Sequence, residues 1–124
     1  MKPLNLTYVA AFVDGEGCIV IGNTQKWNPT MGKNYLCKTI RMEVCNTDFD
    51  IINDIHKFMG TGHIVDIKSR KTEKGTKTKP QKRWQTTHRQ THEVVKKLLP
   101  YMREKNKIKK AKEVMDYYKE RNSK

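Results

Sequence analysis

Residues 9–17 read Val-Ala-Ala-Phe-Val-Asp-Gly-Glu-Gly, and Cys18, Ile19, Val20 and Ile21 follow with no spacer. The first part of this run is apolar and rich in small residues, which suits a helix packed closely on a neighbour. Gly15 and Gly17 are stop signals for that helix, while the branched residues after them favour an extended strand. The chain must therefore leave a helix and enter a sheet almost at once, with the acids Asp14 and Glu16 at the helix tip. A helix that ends in a carboxylate and turns directly into a sheet can hold a hard divalent ion at the edge of a binding surface.

The rest of the chain supplies the layers around this corner. Asn5 is the expected N-cap of the first helix, which reaches about Asp14. The first strand is expected over 18–27 and, after a turn through 28–33, the second over 35–45. The second strand alternates: Leu36, Ile40, Met42 and Val44 share one face, and Tyr35, Cys37, Thr39, Arg41 and Glu43 the other. Thr47 is the expected cap of a second helix over 48–59, with Phe49, Ile52, Ile55, His56 and Met59 on its buried side. Strands follow over 63–68 and 83–89. Thr91 is the expected cap of a short helix over 94–99, ended by Pro100, and a basic helix over 103–121 closes the pattern. Ile108, Ala111, Val114, Met115 and Tyr118 share one face of that last helix. This order predicts an α+β fold in one domain spanning 1–124, with two hairpins whose apolar faces are covered by helices and one sheet face left open.

Lys and Arg number 26 against 13 Asp and Glu, a formal charge of +13. Cations in that excess favour a polyanionic partner, because clustered charge speeds association and releases counterions from nucleic acid. No long apolar run or lipidation signal points to a membrane. Cys18, Cys37 and Cys45 form no Cys-x-x-Cys pair, and their strand-like apolar surroundings predict buried, reduced thiols. Together with an N-terminus lacking a signal-peptide apolar stretch, this predicts a reducing compartment inside the cell.

The run at 9–17 resembles the signature of the LAGLIDADG homing endonucleases. Small residues, Ala10 and Ala11, fill its second and third positions, Phe12-Val13 follows, and the Asp-Gly-acid-Gly ending is intact. The order of elements, αββαββα with an antiparallel curved sheet and helices on one face, is similar to one such domain from about Leu6 to about Met115. The resemblance implies a site-specific endonuclease of double-stranded DNA that hydrolyses phosphodiesters with Mg²⁺ and leaves short 3′ overhangs. Glu16 would be the metal ligand, where the family more often has Asp, with the backbone carbonyl of Gly15 as a second oxygen. One motif supplies one carboxylate, so cutting both strands implies a homodimer on a long, nearly palindromic site. Its motif helices would meet at Ala10, Ala11, Asp14 and Gly15. By register with the family, Asn46 stands where relatives place a polar residue that orders water near the metal. Counting from Pro100, Lys105 stands at the active-site lysine. The alternatives are a splicing maturase acting on intron RNA, a DNA-binding regulator that no longer cuts, and a basic scaffold without sequence recognition.

The open sheet face is the expected DNA surface, since an antiparallel ribbon fits the major groove. Thr24 and Lys26 of the first strand should share that face with Thr39, Arg41 and Glu43. Residues 69–82 form a long basic hairpin loop, in which Arg70, Lys74, Lys77 and Lys82, with Arg83 just beyond, are expected to contact phosphates. Trp84 is expected in the core, and His56 and His63 lack metal-ligand spacing.

Overall fold

A computed structural model describes residues 4–69, 71 and 73–122. Helix α1 spans Leu6–Glu16 and is capped by Asn5, whose Oδ1 accepts the Tyr8 N–H at 2.8 Å. It runs two residues past the expected end, so Glu16 is its last residue and Gly17 already begins strand β1, Gly17–Asn28. Gly17 donates its N–H to the Val13 carbonyl. A Cβ at Gly17 would lie 2.8 Å from that oxygen and 3.0 Å from Val13 Cα. Only glycine allows the strand to leave so close to the helix it has just ended.

Strand β2, Lys33–Asn46, pairs antiparallel with β1, and β4, Gln81–Thr87, pairs with both β2 and β3, His63–Ile67. The sheet order is β1-β2-β4-β3. Ile40, Met42 and Val44 of β2 are buried, with Ile19 and Trp84 from the neighbouring strands. Helices cover that side only: α1, α2 (Phe49–Met59), α3 (Arg89–Leu98) and α4 (Lys105–Asn122). They contribute Val9, Ala10, Val13, Ile52, Ile55, Met59, Val94, Val95, Leu98, Ala111, Val114 and Tyr118 to one continuous core. The α+β fold read from the sequence, with its bare sheet face, is the fold observed.

Several boundaries moved, each for a local reason. Asp48, not Thr47, caps α2, because its Oδ1 accepts both the Asp50 and Ile51 amides. Phe49, expected inside, is partly exposed at the first turn of that helix. Thr91 does not cap α3. It lies within the helix, fully buried, where its hydroxyl meets that of Thr86 at 2.9 Å. The helix instead starts after His88, whose positive φ of 49° is held by its N–H donating to Ile40 O at 2.7 Å. Glu104 caps α4 by accepting the Lys107 amide at 2.6 Å, after a 3-10 turn at Leu99–Tyr101. Trp84 is wholly buried, and its indole N–H donates to Thr61 O at 2.9 Å. Gly62, at φ 86°, passes so close to this ring that a Cβ would lie 2.7 Å from Nε1. His56 bonds to Gly62 O at 3.0 Å and is structural, as expected.

Candidate functional site

The corner where α1 becomes β1 carries the first group of residues. Glu16 is exposed and makes no hydrogen bond or ion pair among the described residues. A carboxylate at this end of a helix sits at the negative pole of the helix dipole, so the helix gains nothing from it. Gly15 is also exposed, and its carbonyl belongs to the last turn, whose oxygens the helix does not bond internally. A carboxylate and a carbonyl are hard oxygen donors of the kind Mg²⁺ takes. Among the described residues no three His, Cys, Asp or Glu gather as a ready-made metal cage. A cation held here would therefore need ligands from outside this chain.

Asp14 faces the other way. Its Oδ2 accepts the backbone N–H of Arg103 at 2.8 Å, and its carbonyl accepts the ammonium of Lys107. Asp14 thereby ties the tip of α1 to the start of α4. Its Oδ1 is buried without a hydrogen bond among the described residues. Lys107 is the cation brought to the corner, whereas Lys105, two residues earlier, is exposed and bonds to no described residue. Sequence reasoning missed Lys107, and only the cap at Glu104, which sets the phase of α4, could have pointed to it. A groove of about 360 Å³ beside the corner is lined by Gly17, Cys18, Asn106, Lys107, Lys109 and Lys110, among others.

Asn46 ends β2 two residues beyond Val44, which pairs with Gly17, so it lies at the same end of the sheet as Glu16. Its Oδ1 accepts the Asp48 amide at 2.8 Å, which shapes the turn into α2. The helix tip divides the small residues of the motif. Ala10 is fully buried in this chain's own core, which withdraws it from the expected dimer contact. Ala11 and Gly15 are exposed on the opposite side with Tyr8, and a Cβ at Gly15 would meet nothing within 4 Å.

The second group is the open sheet face. Register places Val20, Gly22, Thr24 and Lys26 on it opposite Arg41, Thr39, Cys37 and Tyr35, as the alternation predicted. The hydroxyls of Thr24 and Thr39 meet at 2.7 Å. From β4 it adds Arg83, Gln85 and Thr87. Glu43 lies between Arg41 and Arg83, with its Oε2 3.6 and 3.7 Å from their Nε atoms. A hydrogen bond with the Cys45 side chain raises the Arg83 pKa above its ordinary value, burial opposes this, and the Glu43 charge reinforces it, so that guanidinium stays charged.

Two expectations for this face change. Lys82 belongs to β4 rather than to the loop, and it alternates onto the helix side. There its ammonium lies 3.8 Å from Asp66 Oδ1 and 5.5 Å from the centre of the Phe49 ring, so it is withdrawn from the open face. The cysteines are free, as expected, but not buried: Cys18 is exposed and Cys37 and Cys45 half-buried, since all three alternate onto the open face. Lys74 and Lys77 are exposed in the loop between β3 and β4, which the Lys71–Lys77 bridge pinches. Arg70 lies outside the described residues.

Residues 9–120 match the protein family described as LAGLIDADG endonuclease. Among solved structures the chain resembles the homing endonuclease I-CvuI in complex with the I-CreI target, at TM-score 0.65 and 24% identity, covering 90% of this chain and 63% of that one. It resembles the group I intron-encoded homing endonuclease I-CeuI complexed with DNA at TM-score 0.72 and 15% identity, over 99% of this chain and 58% of that one. The match to the homing endonuclease I-LtrWI bound to target DNA has TM-score 0.71 and 13% identity, over 100% of this chain and 39% of that one. The chain thus spans under two thirds of the length of each of these structures. No curated protein matches it by sequence at a significant level.

Proposed function

The chain belongs to the LAGLIDADG endonuclease family, and from that premise we propose that it is a site-specific, Mg²⁺-dependent endonuclease of double-stranded DNA acting as a homodimer. The observation that carries this reading is Glu16: an exposed acid, without a partner among the described residues, at the tip of the motif helix and at the end of a bare and cationic sheet face. DNA-bound relatives of the same fold support the choice of partner. The open face of the β1-β2-β4 ribbon enters the major groove, with Thr24, Lys26, Thr39, Arg41, Arg83 and Gln85 available to base edges. Lys74 and Lys77 contact phosphates from the loop.

Glu16 and the Gly15 carbonyl are the residues that would hold the divalent ion. When bound there, such an ion would supply the charge that polarises the phosphate and lowers the pKa of the attacking water. Lys107 holds the tip of α1 in place through the Asp14 carbonyl, and Lys105, exposed at the start of α4, is free to reach the phosphate. The second carboxylate comes from a second copy, whose α1 packs on the side formed by Tyr8, Ala11 and Gly15. These positions are spaced for one helix face, and the missing side chain at Gly15 permits a close approach.

Glu16→Gln tests the reading. It preserves shape and removes the charge, so binding to a selected site in Ca²⁺ should survive within a few-fold. Cleavage in Mg²⁺ should fall by about three orders of magnitude, the scale lost with a principal charge-stabilising group. Cleavage undiminished by this change would remove Glu16 from the mechanism. A wild type that binds specifically and never cuts would make the chain a regulator or maturase.

A further inference from the structure

Arg41, Glu43 and Arg83 converge from two strands onto a single carboxylate oxygen. Arg41 and Glu43 are two residues apart on the same face of β2, while Arg83 on β4 pairs with Cys45, diagonal to Glu43. Glu43 is the most covered of the three, with 19% of its side chain exposed against 43% for Arg41 and 33% for Arg83. Both Nε atoms are buried, and at 3.6 and 3.7 Å from Oε2 they are held by charge rather than by a hydrogen bond. Beyond Glu43, the Arg83 guanidinium has a hydrogen bond with the Cys45 side chain on the same face.

We propose that Glu43 is a positioning residue that makes Arg41 and Arg83 one paired reader of two guanines in each half-site. This rests on the reading of the chain as a sequence-specific DNA-binding enzyme. With each Nε side turned to Glu43, the outward N–H groups of the Arg41 amino pair, and those of Arg83 that the Cys45 bond leaves over, point end-on for a bidentate contact to guanine O6 and N7. The shared acid also keeps phosphates away. A phosphodiester placed between the two arginines would approach the Glu43 carboxylate, whereas a guanine edge carries no net charge. Arg83 thereby reads a base instead of the phosphate expected from the sequence, and Glu43 itself reads none. Both Nε atoms lie under 4 Å from one oxygen and so within roughly 7 Å of each other, against a base-pair rise of about 3.4 Å. The two guanines should therefore lie no more than two base-pair steps apart, on either strand.

The test is selection from a randomised duplex library in Ca²⁺, at matched salt, for wild type, Glu43→Gln, Arg41→Lys and Arg83→Lys, with folding checked by circular dichroism. Wild type should enrich two neighbouring guanines. Each lysine variant should lose preference at one of them, a different one in each case, because an ammonium cannot make the planar two-point contact. Glu43→Gln should lose about ten-fold preference at both together, while its affinity for unselected duplex stays level or rises with the lost negative charge. The proposal is overturned if Glu43→Gln alters only a position occupied by cytosine, or if Arg83→Lys weakens all sequences alike. A selected site without the guanine pair overturns this inference alone. A wild type that enriches no sequence overturns the functional reading and takes the inference with it.

Discussion

Methyl groups added at Gly17 and at Gly15, two residues apart, should have opposite consequences. At Gly17 the new Cβ would lie 2.8 Å from Val13 O, 3.0 Å from Val13 Cα and 3.0 Å from Val13 Cγ1. Two of these three atoms are backbone, so no rotamer change relieves the contact and the α1–β1 corner must shift. Overpacking of this kind costs about 1–3 kcal/mol, which for a domain of this size lowers the melting temperature by roughly 4–12 °C. At Gly15 the new Cβ would meet nothing within 4 Å, and the position is helical. Alanine is the better helix former by up to about 1 kcal/mol in a helix interior, so the isolated fold should hold or gain slightly. Any loss in Gly15→Ala must then come from outside the chain, where a second α1 can no longer approach as closely.

The two effects are separated by urea unfolding at two protein concentrations tenfold apart, with sedimentation of each variant on DNA. Gly17→Ala should lower the midpoint equally at both concentrations. Gly15→Ala should keep the high-dilution midpoint, lose the stabilisation that rises with concentration, and sediment as a monomer. A wild-type midpoint for Gly17→Ala would refute the close-approach argument. Normal dimerisation and cutting by Gly15→Ala would refute packing of the motif helices through this position.

Thr91→Val leaves the Thr86 hydroxyl buried without its 2.9 Å partner and should destabilise the fold by about 1–3 kcal/mol in urea melts. The double change Thr86→Val with Thr91→Val should recover most of that loss, and failure to recover would mean that the pair matters through shape rather than through its hydrogen bond. Lys107→Met removes the ammonium from the Asp14 carbonyl, so both the urea midpoint and the cleavage rate should fall. Lys105→Met, changing an exposed side chain, should slow cleavage at an unchanged midpoint; normal cleavage by that variant would shift the catalytic cation to Lys107.

What the sequence discloses depends on how far each feature reaches along the chain. The helix-to-strand corner was legible because its signals, two glycines and an acid ahead of Ile19 and Val20, are adjacent. The open face of β2 was legible because a strand alternates with period two and Ile40, Met42 and Val44 mark the inner side. Lys82 and Arg83 show where this stops. They are neighbouring cations at the end of a basic loop, and nothing in their own residue types separates them. Only the start of β4 at Gln81 and its pairing with β2 send Lys82 to Asp66 and Arg83 to Glu43. Lys107 is harder still, since its contact with Asp14 spans 93 residues. The same holds for the Arg41–Glu43–Arg83 cluster. Composition shows the charge that draws a polyanion, but strand register decides which of those charges are held in place to read it.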